Sequence, residues 1–331
     1  MTYGLRNESK CLMAIVATYL AVSTMAFSAE GHFQRTLPVT GPVDLSVQTG
    51  AGSITVRTGG DSTIEVRGII RAWGGLFSNA EAAKTVAYLE SHPPIEQNGN
   101  VIRIGTSTEP RMQHNVSISY ELVVPMKTRL RSKTGSGSQT IDGISGPLEA
   151  SNGSGSIRAS NIGASVQATT GSGPIVLETV KAGVRASTGS GSIRASGVGG
   201  NVRASTGSGS VTVEQTGVAD AHVSTASGNI LLRNVRGLVH AKSASGSITA
   251  EGGGQSPWYL ETVSGGISVR VPPHLGFNLR AHTVSGSIST TRPLTLQGAI
   301  SKREITGKAG NGGFLLDLST VSGNIHIDWV A

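Results

Sequence analysis

A Ser-Gly pair that returns at almost fixed spacing constrains this chain more than any other feature. It occurs at Ser154-Gly155, Ser172-Gly173, Ser190-Gly191, Ser208-Gly209, Ser227-Gly228, Ser245-Gly246, Ser264-Gly265, Ser285-Gly286 and Ser322-Gly323. The apolar residue two positions after each glycine keeps the same register. Ile157, Ile175, Ile193 and Val211 lie 18 apart, followed by Ile230 at 19, Ile248 at 18, Ile267 at 19 and Ile288 at 21. Ile325 comes 37 later, which predicts a degenerate or insertion-bearing coil there. "TGSGSQT" places Gln139 18 residues before Ile157, and "TGAGSITV" is a lone forerunner at Ile54. Low complexity alone does not hold a register over about 190 residues; stacked repeats do.

Each period divides again, 9 residues from Ile157 to Val166 and 9 more to Ile175. Within each half, small or apolar residues alternate with polar ones, as in Val184-Arg185-Ala186-Ser187-Thr188 and Val202-Arg203-Ala204-Ser205-Thr206. Alternation of this kind marks a strand with one buried face, and the Gly-rich pieces between are turns. Two short strands cannot bury a face alone, but stacked copies can. The expected fold is all-β: a β-solenoid of about 18-residue coils over residues 131–331, with columns of identical positions about 4.8 Å apart. Tandem antiparallel hairpins in a barrel or propeller are the alternative, although blades usually need about 40 residues.

Composition agrees with a thin core. Aromatic residues are 4% and charged residues 14% of the 331, the latter against about 25% in ordinary domains. Interior columns should be small, Val184 over Val202 and Ala186 over Ala204, with Trp or Phe only at an end or insertion. The residue before Ser-Gly changes along the chain from Gly153, Gly171, Gly189 and Gly207 to Ala226 and Ala244, then Val263, Val284 and Val321. Leu260, Leu279, Leu316 and Leu318 add bulk in the same direction. Both trends predict a larger core toward the C-terminus.

Residues 1–28 read as a secretory signal peptide: Arg6 and Lys10, an apolar run from Leu12 to Phe27, then Ala26-Phe27-Ser28-Ala29, with cleavage after Ser28. An uncleaved anchor is the alternative, though the run is short for a span of about 20 residues. The single cysteine, Cys11, lies at the start of that run, so the expected mature chain has no disulfide. Its formal net charge is one below the +7 of the full sequence, mildly basic and compatible with acidic glycans. Residues 29–130 form a β-rich N-terminal segment with one helix near 79–91, capped by Ser78 or Asn79 and stopped by Pro93-Pro94. No later stretch is long and apolar enough to span a bilayer.

The strand "SISYELVVP", the run "TGSGSQTIDGISGPLEASNGSGSI", the repeated T-x-S-G-x-I units and the closing "GNGGFLLDLSTVSGNIHI" together resemble the DUF4097 adhesin-like family of bacteria over about residues 40–331. The resemblance implies an exported β-solenoid and carries over no catalytic residue. Many members have Asp where this chain has Ser192, Ser210, Ser247 and Ser287, or Asn229 and Asn324. A Ca²⁺ reading of those turns therefore lacks its carboxylates.

"GSGSI" is not a phosphate loop, because no Gly-Lys-Ser/Thr and no helix follows it. The turn serines have no His and acid partners at a recognisable spacing. His222 and His240, 18 apart, should stack in adjacent coils, where two imidazoles can share a metal; no third ligand is evident, and an exposed polar column is the plainer reading. Arg185 and Arg203 occupy that same column, and Arg158 and Arg194 share another. Together these six residues are the candidate surface for a repeating anionic polymer, because Arg matches carboxylate and phosphate geometry. No catalytic residue, metal or cofactor is assigned. The acids Glu149, Glu178, Glu214, Asp220, Glu251 and Glu261 are not expected to gather on one column. The function expected is a non-enzymatic exported envelope or cell-surface scaffold that contacts a glycan, cell-wall or other surface polymer, and not nucleic acid. A carbohydrate-active lyase or hydrolase, or an accessory of envelope-stress signalling, is the alternative.

Overall fold

The structure is a computed structural model that describes residues 29–73, 79–105, 116–291, 293–296 and 301–329. The expected signal segment, Cys11 and Ser78 lie outside the described residues. Two long sheets, of 14 and 15 strands, run side by side through the molecule. Each repeat gives one strand to each sheet. Val184–Ser190 lies in the 15-stranded sheet and Ile193–Val198, after the Gly191 corner, in the 14-stranded one. Neighbouring repeats pair in parallel, one period out: Val184 opposite Val202, Ala186 opposite Ala204, Thr188 opposite Thr206, and Ile175 opposite Ile193. The stack is thus a β-solenoid, and tandem antiparallel hairpins are excluded for the repeats.

The burial pattern follows the alternation. Val184, Ala186, Ile193, Ala195 and Val198 face the core, and Arg185 and Arg194 face out. A third inward column of the 15-stranded sheet is polar and fully enclosed: Asn152, Thr170, Thr188, Thr206, Thr225, Ser243, Thr262 and Thr320 are all buried. Each spends its donor on the backbone of a corner glycine in a neighbouring coil. Thr188 Oγ1 donates to the Gly173 carbonyl at 3.1 Å, Thr206 to Gly191 at 2.9 Å, Thr225 to Gly209 at 3.0 Å and Thr262 to Gly246 at 2.9 Å. A buried hydroxyl without such a partner would cost about 1–3 kcal/mol. The corner glycines themselves have two reasons to be glycine. Gly191 has φ 153°, and a Cβ there would lie 2.1 Å from the Gly173 carbonyl oxygen.

The two C-terminal trends in bulk separate. Leu260, Leu279, Leu316 and Leu318 are buried, as are Trp258, Phe277 and Phe314. The rings pack edge to face, with centroids 5.7 Å apart for Trp258–Phe314 and 6.3 Å for Phe277–Phe314. Val263, Val284 and Val321 do not enlarge the core; they are 52%, 53% and 47% exposed. Their position is the outward one that Gly153 and Gly171 hold in earlier coils.

At both ends the order of coils in space departs from their order in sequence. The lone forerunner around Ile54 is a full member of the stack. Val43–Ala51 pairs in parallel with Thr128–Ser136, and Ile54–Thr58 with Gln139–Asp142. The solenoid register therefore reaches N-terminal of residue 131. On the other side of this coil lies a later one, Val101–Ile104 and Val116–Val124. The far end mirrors this arrangement. The coil of Phe314–Ser322 and Ile325–Trp329 stacks directly on Trp258–Ser264 and Ile267–Val271. The earlier coil of Phe277–Ser285 and Ile288–Thr290 sits outside it. The 37-residue interval before Ile325 thus carries the antiparallel strands Thr295–Leu296 and Glu304–Ala309 at the edge of Phe277–Ser285 and then a coil inserted out of order. Ile95–Asn98, Thr63–Ala72 and Ala29–Pro38 add antiparallel edges at the N-terminal end. There the helix Asn79–Ser91 packs against Ala29–Pro38, and Glu90 Oε1 accepts from the His32 amide at 2.8 Å. No helix of the described residues is long and apolar enough to cross a membrane.

Candidate functional site

In-register stacking turns each outward position into a column along the molecule. On the 15-stranded sheet the first such column reads Arg131, Glu149, Gln167, Arg185, Arg203, His222, His240, Tyr259, Asp317 and Arg280 in spatial order. Beside it run Ser151, Thr169, Ser187, Ser205 and Ser224, and beyond those the outward Gly153, Gly171, Gly189 and Gly207. Over these coils this leaves a flat face of small side chains flanked by one charged column, whereas Lys133 at one end and Lys242 and Glu261 at the other continue the serine column with charge.

A groove of about 710 Å³ follows that column from Arg129 and Arg131 to His222, with Gln167, Asn201 and Asp220 also on its walls. Arg131 is engaged by Asp44 at 3.2 Å and Glu149 at 3.8 Å. Arg129, Arg185 and Arg203 make no ion pair among the described residues. Asp220, on the same groove wall, has its carboxylate accepting the Leu238 amide at 3.0 Å.

His222 and His240 stack as expected, with centroids 5.2 Å apart and planes 24° apart. Tyr259 continues the stack beyond His240 at 4.6 Å and 11°. Partial burial first, then the neighbouring His222 and Lys242, hold the His240 imidazole below its ordinary pKa. Near-parallel rings at this separation aim their lone pairs alongside one another. Tetrahedral Zn²⁺ takes two nitrogens about 3.4 Å apart on lone pairs that converge at about 109°, which near-parallel stacked rings do not present. Among the described residues no group of three His, Cys, Asp or Glu side chains could hold a metal.

Arg158 and Arg194 lie on the opposite, 14-stranded sheet, with Val176 between them in register. The structure thus divides the six candidate residues: four share one face and two the other. The adjoining outward column of that second face reads Asp142, Ser160, Glu178, Ser196, Glu214, Arg233, Glu251, Arg270 and Asp328, with register shifts at two steps, beyond Ser196 and beyond Arg233. Glu178, Glu214 and Glu251 therefore do gather on one column, because their spacings of 36 and 37 are two periods. They alternate with cations. Glu251 binds Arg270 at 2.6 Å and Arg233 at 3.7 Å, Glu214 stands opposite Arg233, and Glu178 is diagonal to both Arg158 and Arg194. At the ends, Ser160 and Asn161 hydrogen bonds hold the Asp142 carboxyl below its usual range, and the Thr291 hydroxyl does the same for Asp328. The second face is charge-balanced, whereas the groove face is not. Tyr259, Arg129 and the serine column were not among the residues expected from the sequence. Tyr259 lies 19 after His240, so repeat arithmetic alone could have found it.

A parallel β-solenoid with one grooved, cation-bearing lateral face is a repeat-scaffold architecture. Residues 182–328 match the Toastrack DUF4097 family model, so the resemblance read from the motifs holds for that part of the chain. No curated protein matches. Among solved structures the chain is similar to a protein described as a candidate cell adhesion protein from Clostridium sporogenes, at 10% identity and TM-score 0.21, covering 91% of this chain and 100% of that one. It is also similar to a candidate adhesin from Bacteroides fragilis, at 12% identity and TM-score 0.31, covering 92% and 99%.

Proposed function

We propose that this chain is a non-enzymatic binding scaffold of the cell exterior, working through the grooved face of its 15-stranded sheet. The continuity of the groove across successive coils carries the reading. A ligand lying there meets the same backbone geometry at every step, which suits an extended polymer better than a small molecule enclosed on all sides. The basic n-region and apolar run at the N-terminus support export.

Blocking the groove without changing its charge tests the proposal. Gln167 is exposed on the groove wall, and Val176 is the outward residue of a neighbouring strand on the other face. Gln167→Trp should reduce binding of the purified chain to bacterial envelope preparations severalfold, and Val176→Trp should leave it intact. Equal binding by wild type and Gln167→Trp would refute the assignment of function to this face.

A further inference from the structure

The like-charged pair Arg185 and Arg203 works against the fold. The two stand directly opposite one another on neighbouring parallel strands, and like charges placed so are destabilising. The flanking outward positions are Ser187 and Ser205, and neither guanidinium has an ion-pair partner among the described residues. Elsewhere the same fold resolves this problem: on the other face Glu214 stands opposite Arg233, Arg233 pairs with Glu251 at 3.7 Å across a register shift, and Glu251, Arg270 and Asp328 continue in register. Below the pair, Arg131 is already neutralised by Asp44 and Glu149.

We propose that the groove binds a linear polyanion laid parallel to the stacking axis, with Arg185 and Arg203 as consecutive rungs, Arg129 toward one end and His222 at the other. This rests on the binding-scaffold reading and names its ligand class. The direction follows from the columns. Beyond the strand Thr128–Ser136, where Arg129, Arg131 and Lys133 all face out, the groove's cations follow one another along the axis, Arg185, Arg203 and His222 in register. The groove spans five strand spacings from Arg129 to His222, about 24 Å. At the Arg185 and Arg203 rungs a chain crossing the face instead would meet one cation, then a serine, then a glycine. Each rung offers the planar fork that takes a carboxylate or phosphate in two parallel hydrogen bonds, and the serine hydroxyls beside it supply neutral donors. Binding removes the repulsion between the two guanidiniums, so part of the ligand's affinity comes from relief of a cost already present in the free protein. Carboxylate and phosphodiester polymers share this chemistry, and two probes separate them.

The test uses the full chain, with polygalacturonate, inorganic polyphosphate and neutral dextran as probes, at two salt concentrations. Wild type should bind at least one of the two polyanions and not dextran, with affinity falling as salt rises. Arg185→Gln with Arg203→Gln should lower that affinity at least tenfold and flatten the salt dependence, while unfolding no earlier than wild type. Arg158→Gln with Arg194→Gln, on the other face, should change it less than twofold. Binding of polygalacturonate alone assigns the carboxylate source, and of polyphosphate alone the phosphate source. Equal losses from both double variants, or binding of neither polyanion, would overturn the polyanion assignment. In that event the Gln167→Trp experiment still decides the scaffold reading separately.

Discussion

Thr179 should be a site where the native residue costs the protein stability. It has φ 56°, a left-handed backbone that a β-branched residue adopts only under compulsion. The compulsion comes from the stack: the same corner in other coils is Asn161 at φ 56°, Gly197 at 67° and Asn234 at 55°. Thr179 pairs with nothing that would repay the cost, since its side chain is exposed and none of its hydrogen bonds involves another side chain. For an L-residue this conformation costs about 1–2 kcal/mol. Replacement by glycine removes that cost but adds roughly 0.5–1 kcal/mol of chain entropy to the unfolded state. Thr179→Gly should therefore gain about 0.5–1 kcal/mol. Thr179→Asn avoids the entropy term, uses a residue already found at this corner and should gain about 1 kcal/mol. Urea unfolding followed by circular dichroism reads the gain, and amide exchange at Glu178–Val180 places it in the right coil. As a control, Thr169→Asn, at an exposed extended position, should lose a few tenths of a kcal/mol through weaker strand propensity. If Thr179→Asn and Thr179→Gly were both no more stable than wild type, the stack would not be what imposes the corner geometry.

Three further outcomes follow from the same columns. Gly191→Ala places a Cβ 2.1 Å from the Gly173 oxygen at a positive φ; it should cost at least about 2 kcal/mol, with exchange protection lost first in the coils on either side. Thr188→Val keeps the shape but removes the bond to Gly173, and chemical denaturation should show a loss of about 1–1.5 kcal/mol. His240 has its folded-state pKa lowered below 6.5 by burial, His222 and Lys242, so below that pH the unfolded chain binds more protons. Stability should fall as pH drops from 6.5 through the lower folded value, and His240→Gln should reduce that acid slope in thermal melts taken from pH 7.5 to 5.

Much of this architecture is legible in one period of sequence. The 18-residue interval and the alternation in Val184-Arg185-Ala186 give the parallel stack, its two sheets and its small interior. Alternation also places Val263 outward, three positions after the buried Leu260, so reading its bulk as core ignores the pleat. The threonine ladder is less legible. Thr188 falls on an inward position, and a polar residue there makes sense only once the Gly173 carbonyl of the adjacent coil is seen beside it. The division of the candidate cations between faces was implicit in the half-period, since Arg194 follows the Gly191 corner and Arg185 precedes it. What no spacing reveals is which arginines stay unpaired, because that depends on cross-strand neighbours a full period away.

Coil order at the ends is equally hidden in the spacing, and it has a physical consequence. A solenoid stacked strictly in sequence order frays from its ends, because the last coil touches only one neighbour. Here the C-terminal strands Phe314–Ser322 and Ile325–Trp329 have neighbours on both sides. The coil outside them, of Phe277–Ser285 and Ile288–Thr290, is tied by the chain to the coil beneath. The coil of Val43–Ala51 and Ile54–Thr58 is enclosed in the same way at the other end. Because the strands Phe314–Ser322 and Ile325–Trp329 are enclosed, fraying them breaks two interfaces at once instead of one. The large side chains sit where this closure is made: Phe314 and Leu316 lie on the inserted strand, and Trp258 and Phe277 on the strands on either side of it. The glycine- and alanine-lined middle coils need no such reinforcement, because each is held from above and below, and there the groove face can carry an unpaired arginine pair at a cost the closed ends absorb.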